Sequence, residues 1–114
     1  MNADTAKTYA VAYLRNVEMG AEIIGYIERI DETLTPFGGR FLVHGGNLTA
    51  LEGVWDGDIV ILEFPDGAAA QAWYDSPGYR DILPLRVEHS DSIACLVEGV
   101  PESYRAADKL AALR

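Results

Sequence analysis

The chain has 114 residues, 49% of them hydrophobic and 24% charged, the profile of one folded domain with room for a real core. A formal net charge of −9 argues against a nucleic-acid or anionic-membrane partner, because binding phosphates requires a basic stripe. Cys95 is the single cysteine, which leaves neither an internal disulfide nor a thiolate-rich zinc site to expect.

No apolar run approaches the length needed to span a bilayer. The opening MNADTAKTY lacks a basic and then apolar leader pattern, so the expected compartment is the cytoplasm. Residues 8–14, TYAVAYL, alternate as a strand, with Tyr9, Val11 and Tyr13 on one face and Ala10, Ala12 and Leu14 on the other. From Glu18 the period lengthens: Met19, Ile23, Tyr26, Ile27, Ile30 and Leu34 form the apolar stripe of a helix that Pro36 and Gly38-Gly39 stop.

GGRFLVHGG, Gly38 to Gly46, carries a second strand from Arg40. Strict alternation puts Arg40, Leu42 and His44 on one face and Phe41 and Val43 on the other. Gly45-Gly46 is expected to bend or bulge the strand before it resumes from Asn47 to Glu52, and Asp56-Gly57 supplies turn chemistry for a hairpin. DIVILEF, Asp58 to Phe64, is the third strand. Asp66 then caps a helix through GAAAQAWY, and Ser76-Pro77 starts another that Pro84 disrupts at its end. SIACLVEG, from Ser92, is the fourth strand, and the alanine- and leucine-rich tail 101–114 reads as helical.

The order β-α-β-β-α-β is the split βαβ, ferredoxin-like arrangement: a single α+β domain spanning 1–114, with its core in 8–99. Two helices cover one face of a four-stranded sheet. Strands three and four nevertheless read as apolar on both faces, as doubly covered strands do. An identical subunit is the simplest source of the missing layer, so the expectation is a homodimer through the open sheet faces.

With Phe41, Val43 and Phe64 under the helices, Arg40, His44 and Glu63 would share the open face with Tyr9 and Tyr13. An apolar pocket with a few convergent polar groups is the usual description of a binding site. His44 would serve as general acid or base, and Arg40 and Glu63 would be its catalytic companions. The competing readings are an Arg40–Glu63 ion pair at the rim and a structural His44. Tyr9, Tyr13, Trp55, Tyr74, Tyr79 and Arg86 are the candidate ligand contacts, with Trp55 either a lid or a residue packed on the partner subunit. Arg86 carries the planar fork that binds carboxylates, or else makes a contact at a helix C-terminus. Trp73 reads as core, His89 as exposed, and Cys95 as buried and inert. The two histidines have no metal-motif spacing and no glycine-rich phosphate cradle exists, so neither metal nor cofactor is expected.

The stretches PFGGRFLVHGG, LEGVW, VILEFPDGAAAQAWYDSPGYRDILPLR and ACLVEG together resemble a bacterial family, the domain of unknown function 1330. His44 and the alanine-rich tail depart from its recurring pattern. The resemblance implies a ferredoxin-like subunit of the dimeric α+β barrel superfamily, which holds ligand binders beside cofactor-independent monooxygenases, isomerases and cyclases. A fold of this kind does not fix a reaction. Two functions follow as expectations: a dimeric small-molecule binder, or a cofactor-independent enzyme acting on a small enolic or aromatic metabolite.

Overall fold

The computed structural model describes residues 6–113. It contains β1 (Thr8–Arg15), α1 (Ala21–Leu34), β2 (Arg40–His44), β3 (Asp58–Phe64), α2 (Gly67–Asp75), α3 (Pro77–Val87), β4 (Asp91–Glu98) and α4 (Asp108–Leu113). The strands form one sheet in the order β2-β3-β1-β4, and β1–β3, β1–β4 and β2–β3 all pair antiparallel. This is an α+β ferredoxin-like fold with α1, α2 and α3 on one face of a four-stranded sheet.

The core lies between that face and the helices, where Ile30, Leu34, Leu62, Phe64, Trp73 and Ile82 are buried together. Alanines at 10 and 12 keep β1 low on this side and leave space between the sheet and the helices. Gly39 allows a close approach: a Cβ there would sit 2.6 Å from Phe64 Cε1. Helix α1 begins at Ala21, not Glu18, so Met19 precedes it and is exposed.

Ser76 separates α2 from α3 with one hydroxyl. Its Oγ donates to the Trp73 carbonyl, closing α2, and accepts from the Tyr79 N–H, opening α3. Pro77 then occupies the first turn, where a missing N–H costs nothing. Asp66 caps α2 by accepting from the Ala69 N–H at 2.8 Å. Pro84 does not disrupt α3, which continues through it to Val87.

Two expectations about β2 fail. The strand ends at His44, and residues 45–57 form an exposed loop without strand pairing instead of a resumed strand and hairpin. The strand is also bulged earlier than the glycines suggest. Arg40 pairs with Glu63 and Phe41 with Leu62, but Val43 pairs with Ile61 and His44 with Val60. Leu42 is the extra residue. Because side chains alternate with a period of two, one extra residue exchanges the faces of everything beyond it. Val43 therefore joins the open face, and His44 turns to the helix side.

Candidate functional site

The sheet divides the candidate residues into two groups. On the open face Glu63 is the hub: Arg40 Nε donates to its Oε1 at 2.9 Å, Lys7 Nζ lies 3.3 Å from the same oxygen, and Tyr9 donates to Oε2 at 3.3 Å. Burial opposes ionisation of Glu63. The hydrogen bonds and charges of Arg40 and Lys7 outweigh it together and hold the carboxyl below its usual value of 4.5. At the other end of this face the Tyr13 hydroxyl donates to Asp56 Oδ1 at 2.7 Å, and the Tyr13 and Trp55 rings meet edge to face. Trp55 itself donates to the Glu52 carbonyl, which folds the loop back on itself. These groups are arranged as ion pairs and loop anchors, and of them only Tyr13 borders a recess, with Arg15 and Ser90 to Ile93.

The helix side is different. A largely apolar cavity of about 470 Å³ lies between the sheet and the helices. Ala10, Ala12 and Leu96 belong to its sheet side, and Ile23, Ile27 and Ile30 of α1 to its helix side. His44 lines it, and so do Tyr74, Tyr79 and Arg86. Arg40, Glu63, Tyr9, Tyr13 and Trp55 do not. The expected convergence of Arg40, His44 and Glu63 on one face is thus corrected by the bulge at Leu42.

Besides His44 of β2, Asp58 of β3 and Gln71 of α2, the cavity takes polar groups from α1 and α3. The Tyr26 and Tyr79 hydroxyls share a hydrogen bond of 2.7 Å. Burial above all, then the neighbouring Tyr79, pushes the Tyr26 phenol far above its ordinary value of 10.0. Arg86 projects from the last turn of α3, 7% exposed, donates to Ser92 Oγ, and sits 5.9 Å from the centre of the Tyr26 ring. The aromatic wall is continuous: Trp73 lies 4.0 Å from Tyr79 and 5.2 Å from Phe64 between ring centres, and donates through Nε1 to Thr33 Oγ1. Tyr26 is the residue the sequence reading missed. It stood in the apolar stripe of α1 as one core position among six, and only its meeting with Tyr79 across the helices gives its hydroxyl a role.

Two further residues differ from expectation. Cys95 is exposed, since its register partner Val11 belongs to the open face. His89 is half-buried: it follows α3, its Nδ1 lies 3.0 Å from the Leu85 carbonyl, and its Nε2 lies 3.7 Å from Glu22. Among the described residues no cluster of His, Cys, Asp and Glu is arranged to hold a metal, and no helix is long and apolar enough to cross a membrane.

The family defined by the domain of unknown function DUF1330 matches residues 7–100. The chain belongs to it. The DUF1330 match ends two residues after β4 and leaves α4 outside it. No curated protein matches the chain. Among solved structures it is similar to a protein of unknown function from Rhodopseudomonas palustris, at 18% identity and TM-score 0.64, over 88% of this chain and 85% of that one. A dimeric ferredoxin-like protein of unknown function from Jannaschia sp. CCS1 is similar at 17% identity and TM-score 0.63, over 82% and 99%. SnoaB, a cofactor-independent oxygenase from Streptomyces nogalater, is similar at 17% identity and TM-score 0.59, over 89% and 100%. At these identities the likeness is one of fold.

Proposed function

We propose that this DUF1330 protein is a homodimer, joined through its open sheet faces, that binds a small aromatic molecule in the cavity of each subunit. The cavity carries the reading. At about 470 Å³, with an apolar body and hydroxyl, imidazole and guanidinium groups on its wall, it has the size and chemistry of a small-molecule site. Flat rings suit its aromatic lining, where Trp73, Tyr79 and Tyr74 can stack or meet them edge on. The dimer is supported by the exposed apolar side chains of the open face and by the dimeric ferredoxin-like neighbours from Jannaschia and Thermobifida fusca.

Turnover without a cofactor is the second reading, favoured by one observation: His44, a residue able to carry a proton near neutral pH, lines the cavity. The fold likeness to SnoaB is in keeping with it. On this reading His44 would act with the Tyr26–Tyr79 hydroxyl pair and Arg86. Arg40 and Glu63 stand across the sheet and have no part in it.

Trp73 offers a direct test. In a Trp55→Phe background it is the remaining tryptophan. Naphthalene-sized ligands entering the cavity should quench its fluorescence and raise the melting temperature, since a ligand that binds the native state stabilises it. If a broad panel of such compounds does neither, the binding reading fails. Chemical conversion of a bound compound, lost in His44→Ala even when the compound saturates the variant, would select the enzymatic reading.

A further inference from the structure

Arg86 is a buried cation in a strongly acidic protein, yet among the described residues it has no acidic partner. The chain carries 18 Asp and Glu residues against nine Lys and Arg. Among the described residues every ion pair involves other groups: Lys7 and Arg40 with Glu63, Arg15 with Asp56, Arg29 with Asp81, Arg80 with Asp75, and His89 with Glu22. Five exposed cations, Lys7, Arg15, Arg29, Arg40 and Arg80, thus have carboxylates within reach while the buried one has none.

The groups that do face Arg86 are neutral. It donates to the Ser92 hydroxyl and lies beside the phenols of Tyr26 and Tyr79. Tyr26 cannot stand in as a counterion at neutral pH, because burial and the neighbouring Tyr79 keep its proton on. A guanidinium does not lose its own proton under these conditions. A buried charge without a counter-charge is costly, and proteins ordinarily pair or hydrate it. Here the guanidinium lines the cavity, so its missing partner can come from there.

We infer that the ligand of this cavity is a planar aromatic monoanion of the carboxylate type, with its charged group on the Arg86 guanidinium and its ring among the aromatic side chains. The inference rests on the cavity being a ligand site and names the charge of what fills it. A carboxylate suits the guanidinium because two parallel N–H donors match its two oxygens. The Tyr26 and Tyr79 hydroxyls stand beside that fork, and the one that accepts in their mutual hydrogen bond can donate its own proton to the same group. One charge is the limit. Asp58 also lines the cavity, in the register row that runs through Leu14 to Ser92, so a second anionic group would meet a carboxylate two strands away.

Two isosteric probes decide the matter: 2-naphthoate and its neutral amide, 2-naphthamide, titrated into the full chain near pH 7.5 with Trp73 fluorescence as the readout in the Trp55→Phe background. The wild-type site should bind naphthoate at least tenfold more tightly than naphthamide. Arg86→Met should bring the two within twofold of each other by weakening only the acid, and Arg86→Lys should retain part of the preference. Against a loss of stability in either variant, the unaltered chain supplies an independent readout: the Arg86 Nε–H resonance should move with naphthoate and not with naphthamide. Equal binding of both probes would overturn the anion assignment while leaving the cavity a ligand site. A preference for the acid that survives Arg86→Met, or an Arg86 resonance indifferent to naphthoate, would also overturn it. Binding of neither probe would overturn this inference and count against the cavity reading as well.

Discussion

The imidazole of His44 lies on the ring of Phe41, 4.5 Å between centres and 22° from parallel. Regular alternation would put residues 41 and 44 on opposite faces of a strand. The bulge at Leu42 puts them on one, and the stack follows from it. His44 is exposed and touches the core through its stack on Phe41, so its replacement tests the cavity more than the fold.

His44→Ala should therefore cost at most about 1 kcal/mol, the scale of one partly solvated ring pair. Urea unfolding should show a small drop in midpoint at constant slope. The same variant should weaken aromatic probes. A loss above about 2 kcal/mol would make His44 a structural residue and remove the proton carrier from the enzymatic reading.

Tyr26 makes the protein sensitive to alkali. Its phenol stays protonated in the folded state well above the value of 10.0 at which an unfolded tyrosine ionises. The stability tied to this difference is fully present below pH 10 and is lost as pH rises beyond it, because only the unfolded chain then gains from releasing the proton. Wild-type stability should fall more steeply than that of Tyr26→Phe between about pH 9.5 and 11. Matching slopes would mean that the hydroxyl is not held as described.

The parts of this fold legible in the sequence are those fixed by short-range chemistry. Ser76-Pro77 is at once a cap and a first-turn proline, and the helices part there. Alternation in β1 and β3 is uninterrupted, so the alanine face and the Tyr9–Glu63 face fall where the pattern puts them. The bulge has no such signal. Gly45-Gly46 is the expected place for one, whereas the residue inserted is Leu42, whose side chain fits a regular strand equally well. That single residue moves His44 from one candidate site to another. Tyr26 was hidden differently: Arg86 was already a candidate ligand contact, and what joins Tyr26 to it in one site is the packing of α1 against α3 at long range.

Gly39 should tolerate no side chain. An added methyl would lie 2.6 Å from Phe64 Cε1 and 2.9 Å from Leu34 Cδ2, and both of those residues are buried in the core. Neither ring nor isobutyl group can withdraw without displacing others, so Gly39→Ala should destabilise by about 1–3 kcal/mol, the range for overpacking. An unchanged melting temperature would mean that β2 can move away from the core at this point.

Glu63 should govern the acid limb. Its folded carboxyl is held below 4.5, so the stability it confers is present above that pH and lost as the pH falls through the folded value. Arg40 and Lys7 are more than half exposed, which keeps the effect modest and screened by salt. Glu63→Gln should flatten the fall in stability below about pH 5, with the greatest difference from wild type at low ionic strength. An identical acid limb in the variant would show that the pair contributes nothing.

The open face decides the assembly. Ile93 is 74% exposed and Val97 49% on one edge of this face, and the bulge adds Val43 on its opposite edge, while Leu51 and Val54 of the 45–57 loop are 90% and 91% exposed. In an isolated subunit these side chains meet water, so charging them should scarcely disturb the fold. Burying them against a second copy would make the same charges costly, since each would enter an apolar interface unpaired. Ile93→Glu combined with Val97→Glu should thus leave the circular dichroism of the subunit intact and convert a sedimenting dimer to monomer. An interface of this kind covers at least about 2,000 Å² in total, enough for the wild type to remain dimeric at low micromolar concentration. A wild-type monomer at that concentration, or a doubly charged variant that still sediments as a dimer, would place the missing layer somewhere other than a second open sheet.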